Sequence, residues 1–253
     1  MVSAITRSPS HEYSYAGATY PGVTGILKVI DKSDALMAWA ARQTAEATVS
    51  LASPTDDGSW NVDGIAQLLR SVGPEGFTKA VTSRSAWKRD EAAQIGSTIH
   101  GIADKIAQGM DTGWVEPIVL ERVEHYRQWW AASGWTLRLS EAKVVSPSIG
   151  YGGTFDLLAY DRDGKTVLAD IKTGSGVYRE TILQLAAYGM ATFVQPADKP
   201  TVFPMVDPDR YAVLHVTAKG VKEIEVNVGQ AERTAFLATV ELAAWVKSVK
   251  GRL

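Results

Sequence analysis

Apolar positions in this chain recur with two different periods, and the change from one to the other divides it. Ile95, Ile99, Ile102 and Ile106 follow helical spacing and predict the buried face of a helix running to about Gln108. Pro117–Ser133 carries a second such stripe through Val119, Val123, Tyr126 and Trp130, with Gly134 placed to end it. From Glu141 the period shortens. Glu141–Val145, Tyr151–Tyr160 and Lys165–Lys172 are rich in aliphatic, aromatic and Thr residues and predict strands. Asp161-Arg162-Asp163-Gly164 separates the last two as a short polar loop ending in Gly, as hairpins prefer. A helix from about Tyr178 to Phe193, strands at Tyr211–Val216 and Lys222–Val226, and a closing helix from about Gln230 to Lys247 complete the pattern.

The first part of the chain is less regular. Met1 to about Tyr20 lacks periodicity and reads as a mobile or surface-draped tail. Ser33 or Asp34 is placed to cap a helix through about Ser50, with Leu36, Trp39, Ala40 and Ala47 on one face. A short helix over Asn61–Arg70 ends near Gly73-Pro74, and Lys79–Lys88 is open between helix and loop. The simplest account is α/β: residues 1–84 as a tail and α-helical elaboration packed on a core of residues 85–253.

Composition narrows the chemistry. The net charge of −2 gives no global signal for nucleic acid, although local basic clusters outweigh the total at a binding site. The absence of cysteine excludes disulfides, Cys-ligated zinc and iron–sulphur clusters, so any metal must use carboxylate, carbonyl, imidazole or water. Met1–Ser10 has no signal-peptide run, and no stretch reaches the ~20 apolar residues of a membrane span. The expected setting is therefore cytoplasmic, with no membrane partner. Gly164-Lys165-Thr166 imitates the end of a phosphate-binding loop, but Ala159 stands where the first Gly is required. With no Gly-x-Ser-x-Gly or Gly-x-Gly-x-x-Gly either, motor, serine-hydrolase and dinucleotide chemistry lack support, and no nucleotide cofactor is expected.

Three acid-x-Lys triplets occur: Glu141-Ala142-Lys143, Asp163-Gly164-Lys165 and Asp170-Ile171-Lys172. Position separates them. A turn near Arg162–Gly164 sets Asp156 roughly opposite Asp170, and facing residues on paired strands lie about 4.5–5.5 Å apart. Alternation puts Asp170 and Lys172 on one face. Two acids so close cannot both stay ionised without a cation between them, and hard ions such as Mg²⁺ or Mn²⁺ take such oxygen ligands. The bland alternative is a hairpin salt bridge beside a structural Asp pair.

Other residues add to this site or stand apart from it. His100 follows Ile99 at the flank of the apolar stripe, where it can face a site or merely pack. Glu141 opens the preceding strand and is either a further metal oxygen or a solvated strand end. Gln184 and Tyr188 share a helix face at i and i+4 and can hold a backbone phosphate, although the pattern is common. Lys79, Arg84, Lys88 and Arg89 are the densest basic run for phosphates, or a solvated face. Trp60, Trp87 and Trp129-Trp130 can stack on bases, with burial the more common fate. His11, His125 and His215 stand isolated.

Gly96-Ser97-Thr98-Ile99-His100, Glu141, Gly152-Gly153-Thr154-Phe155-Asp156, Asp170-Ile171-Lys172-Thr173-Gly174 and Gln184-Leu185-Ala186-Ala187-Tyr188 occur in that order. Together, over roughly Ile95 to Ala191, they resemble the PD-(D/E)XK nuclease superfamily. The likeness is to its RecB-type nuclease domains, CRISPR-associated RecB-like exonucleases and bacteriophage lambda exonuclease. Tyr20-Pro21-Gly22-Val23-Thr24 is similar to phage-encoded members. Phe155 replaces the proline that names the motif, and the cluster cysteines of the CRISPR-associated members are missing.

The resemblance implies a restriction-endonuclease-like αβββαβ core with a mixed central sheet flanked by helices. It implies one or two Mg²⁺ or Mn²⁺ ions held by Asp156, Asp170, the Ile171 carbonyl and His100, with Glu141 as an auxiliary ligand. Lys172 would position the attacking water, and Gln184 and Tyr188 would hold the DNA backbone. The implied activity is a metal-dependent deoxyribonuclease, an exonuclease of recombination or phage DNA processing. A structure- or sequence-specific endonuclease, or a non-catalytic DNA-binding or assembly subunit, are the alternatives. DNA is the expected partner, together with a recombinase or annealing protein or a separate helicase. Monomer and ring oligomer both stay open.

Overall fold

A computed structural model describes residues 3–30, 33–174 and 176–249. In chain order, β1 (Thr6–Arg7), β2 (Tyr13–Tyr15) and β3 (Ala18–Tyr20) precede the single-turn helix α1 (Val23–Ile26) and a 3-10 turn at Leu27–Val29. Next come α2 (Ser33–Val49), β4 (Ser53–Pro54), β5 (Trp60–Asn61), α3 (Asp63–Ala107) and α4 (Pro117–Ser133). Then follow β6 (Thr136–Ser146), β7 (Tyr151–Tyr160), β8 (Thr166–Lys172), α5 (Arg179–Gly189), β9 (Phe193–Gln195) and β10 (Phe203–Pro204). β11 (Arg210–Thr217), β12 (Gly220–Val226) and α6 (Gln230–Val249) close the chain. No described helix is long and apolar enough to cross a membrane.

The chain divides into two compact units, Met1–Ile30 with Gly96–Leu253, and Asp31–Ile95. In the smaller unit Leu36 and Trp39 are exposed, and α2 turns Ala40, Gln43 and Ala47 inward instead. That face carries small or polar residues, so apolar spacing points to the wrong side. The first helical stretch of α3 ends near Gly73-Pro74, as the sequence predicts: Gly73 takes a non-helical φ of 71°, and a second helix starts from Pro74. A proline suits a new first turn because its missing N–H is one that no helical partner would satisfy there. Lys79–Lys88 is helical throughout.

The expected N-terminal tail is instead ordered. β1, β2 and β3 form an antiparallel sheet, and Ile5 and Tyr13 are buried against Val145. The Tyr13 hydroxyl hydrogen-bonds Thr154 Oγ1 at 2.9 Å, and Gly22 bridges Gly152 of β7 in parallel. Strands of two and three residues are too short to show a period, which is why the pattern is invisible in the sequence.

The larger unit is built on a mixed seven-stranded sheet of order β10-β9-β6-β7-β8-β11-β12. β6, β7 and β8 form an antiparallel meander, and β11 runs parallel to β8 after the intervening α5. β7 and β8 are buried along nearly their whole length, which explains their nearly continuous apolar runs. The hairpin joining them is fixed by Asp161, whose Oδ1 accepts the amides of Asp163 and Lys165 at 3.0 and 2.9 Å. Its Oδ2 takes Arg210 Nε of β11 at 2.8 Å, so the turn is tied to the next strand. α5 and α6 cover a core containing Tyr151, Phe155, Leu168, Leu185, Val213 and Phe236.

Two irregularities prepare the site. Leu139 and Ala142 of β6, and Phe155 and Leu158 of β7, join the same core although three positions separate each pair. Strand alternation therefore breaks at the residues between, Glu141 and Asp156 among them. Glu141 takes a φ of +47°, a left-handed conformation that costs a non-glycine residue ~1–3 kcal/mol. The β7–β8 ladder also stops at Leu157↔Ala169, one pair short of Asp156 and Asp170. The Ile171 amide then donates to Asp156 Oδ2 at 2.6 Å.

Candidate active site

His100 of α3, Glu141 of β6 and Asp156 of β7 each present a ligand atom, all within 4.8 Å of one another. His100 follows the fully buried Ile99, so the packed stripe fixes the helix while the imidazole faces its edge. Its Nδ1 lies 3.4 Å from Asp156 Oδ1. Glu141 stands between Ser140 and Ala142, which pair with Leu157 and Phe155, so it faces Asp156 across the two strands. All three residues are partly buried.

Asp170 is placed differently from the sequence expectation. Its neighbouring position holds, but its carboxylate is not one of the three converging groups. It is 2% exposed, and its Oδ2 lies 2.7 Å from Lys172 Nζ. That buried oxygen is therefore charge-paired with the ammonium. Lys172 Nζ also donates to Gln184 Oε1 at 3.3 Å, and Gln184 Nε2 donates to the Tyr188 hydroxyl at 2.9 Å. Tyr188 is 2% exposed, with its ring against Gly153, where a Cβ would lie 2.5 Å from Cε1. The phenol therefore orients Gln184 and is not a surface contact for a DNA backbone.

Charge and burial work against each other here. Burial would lower His100, but the Asp156 carboxylate, by charge and hydrogen bond, raises it to about 9. Burial, then the Asp156 charge, lifts Glu141 to about 7. The same two causes lift Asp170 to about 6 despite the opposing Lys172. Burial would raise Asp156 as well, yet His100, Lys172 and the Ile171 amide hold it below the ordinary range. A cluster whose acids resist ionisation together has a place for an added cation.

Two contributors were missed in the sequence. Asp104 lies one helical turn beyond His100 on α3, and its charge acts on both Glu141 and Tyr126. It accepts Gln108 Nε2 at 2.7 Å, and the same amide reaches Ser140 beside Glu141 at 3.3 Å. The i, i+4 spacing of His100 and Asp104 was the available signal. Arg7 is the other, since its charge also acts on Glu141. Nothing in an apparent tail could have indicated it.

The remaining candidates have local roles. Arg84 stacks 4.2 Å over Trp87, Lys88 pairs with Glu46 at 3.4 Å and Arg89 with Asp90 at 3.3 Å, all inside the smaller unit. Trp129 and Trp130 pack with Tyr126, and Trp129 meets Trp135 edge-on at 5.2 Å. His125 and His215 contact backbone carbonyls, of Thr217 and Gly174.

No family model matches the chain, and no curated protein does. Among solved structures, that of SSO0001 aligns at 14% identity with a TM-score of 0.33. The aligned part covers 51% of this chain and 60% of that one, a likeness too slight to assign a fold or an activity.

Proposed function

We propose that the chain is a divalent-metal-dependent deoxyribonuclease. The observation that carries this reading is the convergence of His100, Glu141 and Asp156 beside the Asp170–Lys172 pair, where β7 and β8 part. The order helix, three antiparallel strands, helix, parallel strand supports a restriction-endonuclease-like core for it.

The donor set fits a hard or borderline ion. Two carboxylates and an imidazole lie within reach of one point, and the buried Asp170 carboxylate stands beside them, paired with Lys172. Carboxylates suit Mg²⁺ and Mn²⁺ alike, and the imidazole tilts the set toward Mn²⁺. His100, Glu141, Asp156 and Asp170 would hold the ion, with the Ile171 carbonyl as a further oxygen. When bound, such an ion acidifies a water and offsets charge on a phosphodiester.

The chain's own residues do the positioning. Asp170 and Gln184 hold the Lys172 ammonium from two sides, leaving its remaining N–H for a water or a phosphate oxygen. There it orients the attacking water and stabilises the negative charge that develops on the phosphate. Tyr188 fixes the Gln184 amide so that Oε1 faces the ammonium. An exonuclease is the form of this activity that the sequence motifs favour. Degradation of linear but not circular DNA separates it from an endonuclease. The central test is Asp170→Asn and Lys172→Ala, each of which should abolish Mn²⁺-dependent cleavage while the fold persists by circular dichroism. Full activity in either variant would sink the assignment.

A further inference from the structure

The first acid-x-Lys triplet, Glu141-Ala142-Lys143, has no part in the reaction just described beyond Glu141 itself. Its lysine, however, stands where the N-terminal segment docks. Lys143 of β6 is paired with Thr154 of β7 on one side and Gln195 of β9 on the other. Both neighbours hold the N-terminal segment: Thr154 through the Tyr13 hydroxyl and Gln195 through the Ile5 amide. Side chains directly across from one another share a face, so Lys143 lies on the face that this segment covers.

Arg7 belongs to the hairpin that docks on this face. It is the register partner of Tyr13 across β1 and β2, and the Tyr13 ring lies on Gly152. Arg7 is exposed, and its guanidinium contacts the His11 ring at 3.0 Å. The one acid in its hairpin, Glu12, takes the Ser10 hydroxyl at 3.5 Å. Among the described residues, neither Arg7 nor Lys143 has an acidic partner within 4.0 Å, although Glu141 is only two positions from Lys143.

The hairpin carrying Arg7 is held firmly. His11 takes a φ of 60°, and its carbonyl packs so closely on Gly22 that a Cβ there would overlap it. Gly22 in turn bridges Gly152. A surface arginine on a freely moving tail would need no such chain of close contacts.

We propose that Arg7 and Lys143 form a phosphate-binding step beside Glu141, taking a nucleic-acid backbone phosphate next to the one being cleaved. The N-terminal sheet is then part of the substrate channel. This rests on the deoxyribonuclease reading. A cation pair without acidic partners is the chemistry that neutralises a phosphate, and each such contact releases counterions and steepens the salt dependence of binding.

The test measures binding of the full-length protein to single-stranded and duplex oligonucleotides in EDTA, across a salt series. Arg7→Gln and Lys143→Gln should each weaken affinity about ten-fold at low salt and reduce the log–log salt slope by about 1. Mn²⁺ binding, followed by calorimetry, should be unchanged in Lys143→Gln, whose lysine has no part in the metal site. Comparing 5′-phosphorylated, 5′-hydroxyl and circular strands assigns the contact: equal losses mean an internal phosphodiester, and losses on phosphorylated ends alone a terminal phosphate. Unchanged affinity and slope in both variants, with wild-type cleavage intact, would overturn this proposal alone. A wild-type protein that neither binds nor cleaves DNA would remove it together with the nuclease reading.

Discussion

His100 Nδ1 and Asp156 Oδ1 face each other at 3.4 Å, across elements separated in sequence by a helix and a strand. Each shifts the other: the carboxylate favours the imidazolium, and the imidazolium favours the carboxylate. Without an ion, this pair keeps Asp156 charged inside the protein. With an ion, the imidazole must give up its proton to become a ligand, so metal and proton compete at His100.

Asp156→Asn isolates that pair. The amide keeps the shape but removes the charge that holds the His100 proton. The His100 pKa, followed by NMR, should fall well below about 9. Mn²⁺ affinity should drop by on the order of 100-fold or more, and cleavage with it. An unchanged His100 titration would show that another group raises it.

The ion-free protein should lose stability as pH rises. Glu141 and Asp170 have folded values of about 7 and about 6, above their ordinary 4.5 and 3.8. Groups raised in this way stabilise the fold at low pH, and the contribution fades as pH climbs through those values. His100 behaves alike over a higher window, with its contribution full below 6.5 and lost through about 9. Asp156 acts in the opposite sense, lending stability above its ordinary 3.8 and losing it as pH falls through its lowered value. Melting temperatures between pH 5 and 9 should therefore decline in EDTA. Saturating Mn²⁺ should stabilise most at the alkaline end. A rise in Tm with pH in EDTA would contradict the assignment.

Glu141→Gly should trade function for stability. Glycine accepts a φ of +47° without strain, and the substitution also removes a buried carboxyl that resists ionisation. Unfolding free energy should rise by about 1 kcal/mol, or about 2–4 °C in Tm for a chain of this size. Mn²⁺ affinity should fall in the same variant. A destabilised Glu141→Gly protein would mean that the conformation is held by something other than the side chain's role at the site.

Gly153→Ala probes the supports of Lys172 from a distance. The added methyl would sit 2.5 Å from Tyr188 Cε1 and 3.1 Å from Cδ1, and a buried ring has little room to retreat. Overpacking of this kind costs ~1–3 kcal/mol. Because Tyr188 holds Gln184, cleavage should fall by more than the loss of folded protein explains. A variant with wild-type activity per folded molecule would uncouple the ring from the ammonium.

The sequence made long elements legible and short ones not. β7 was bounded at Tyr151 and Tyr160 and α4 at Pro117 and Ser133, because each spans several repeats of its period between clear stop signals. β9 goes unread and the helix before it is carried on to Phe193, since Phe193 and Val194 extend an apolar helix face. α5 ends at Gly189 instead. At the site, the hairpin arithmetic puts Asp156 opposite Asp170, one position beyond the Leu157↔Ala169 pair at which the ladder stops. It could not foresee that alternation breaks at Glu141, because a positive φ at a glutamate leaves no compositional mark. Gly152-Gly153 was legible as a motif, but its reason is steric: one glycine admits the Tyr13 ring and the other the Tyr188 ring.

The position of β8 has a consequence for synthesis. On one side it pairs with β7 through a local hairpin, which can close as soon as both strands have emerged. On the other it pairs in parallel with β11, whose Arg210–Thr217 emerges well after Lys172. Until then the strand bearing the acid and the lysine has an open edge, and α5 has an incomplete sheet to cover. A nascent chain stalled before Arg210 would thus hold every residue of the proposed site and still lack β11, the parallel partner of β8. The setting of the proposed site would be completed only late in translation, when β11 pairs with β8.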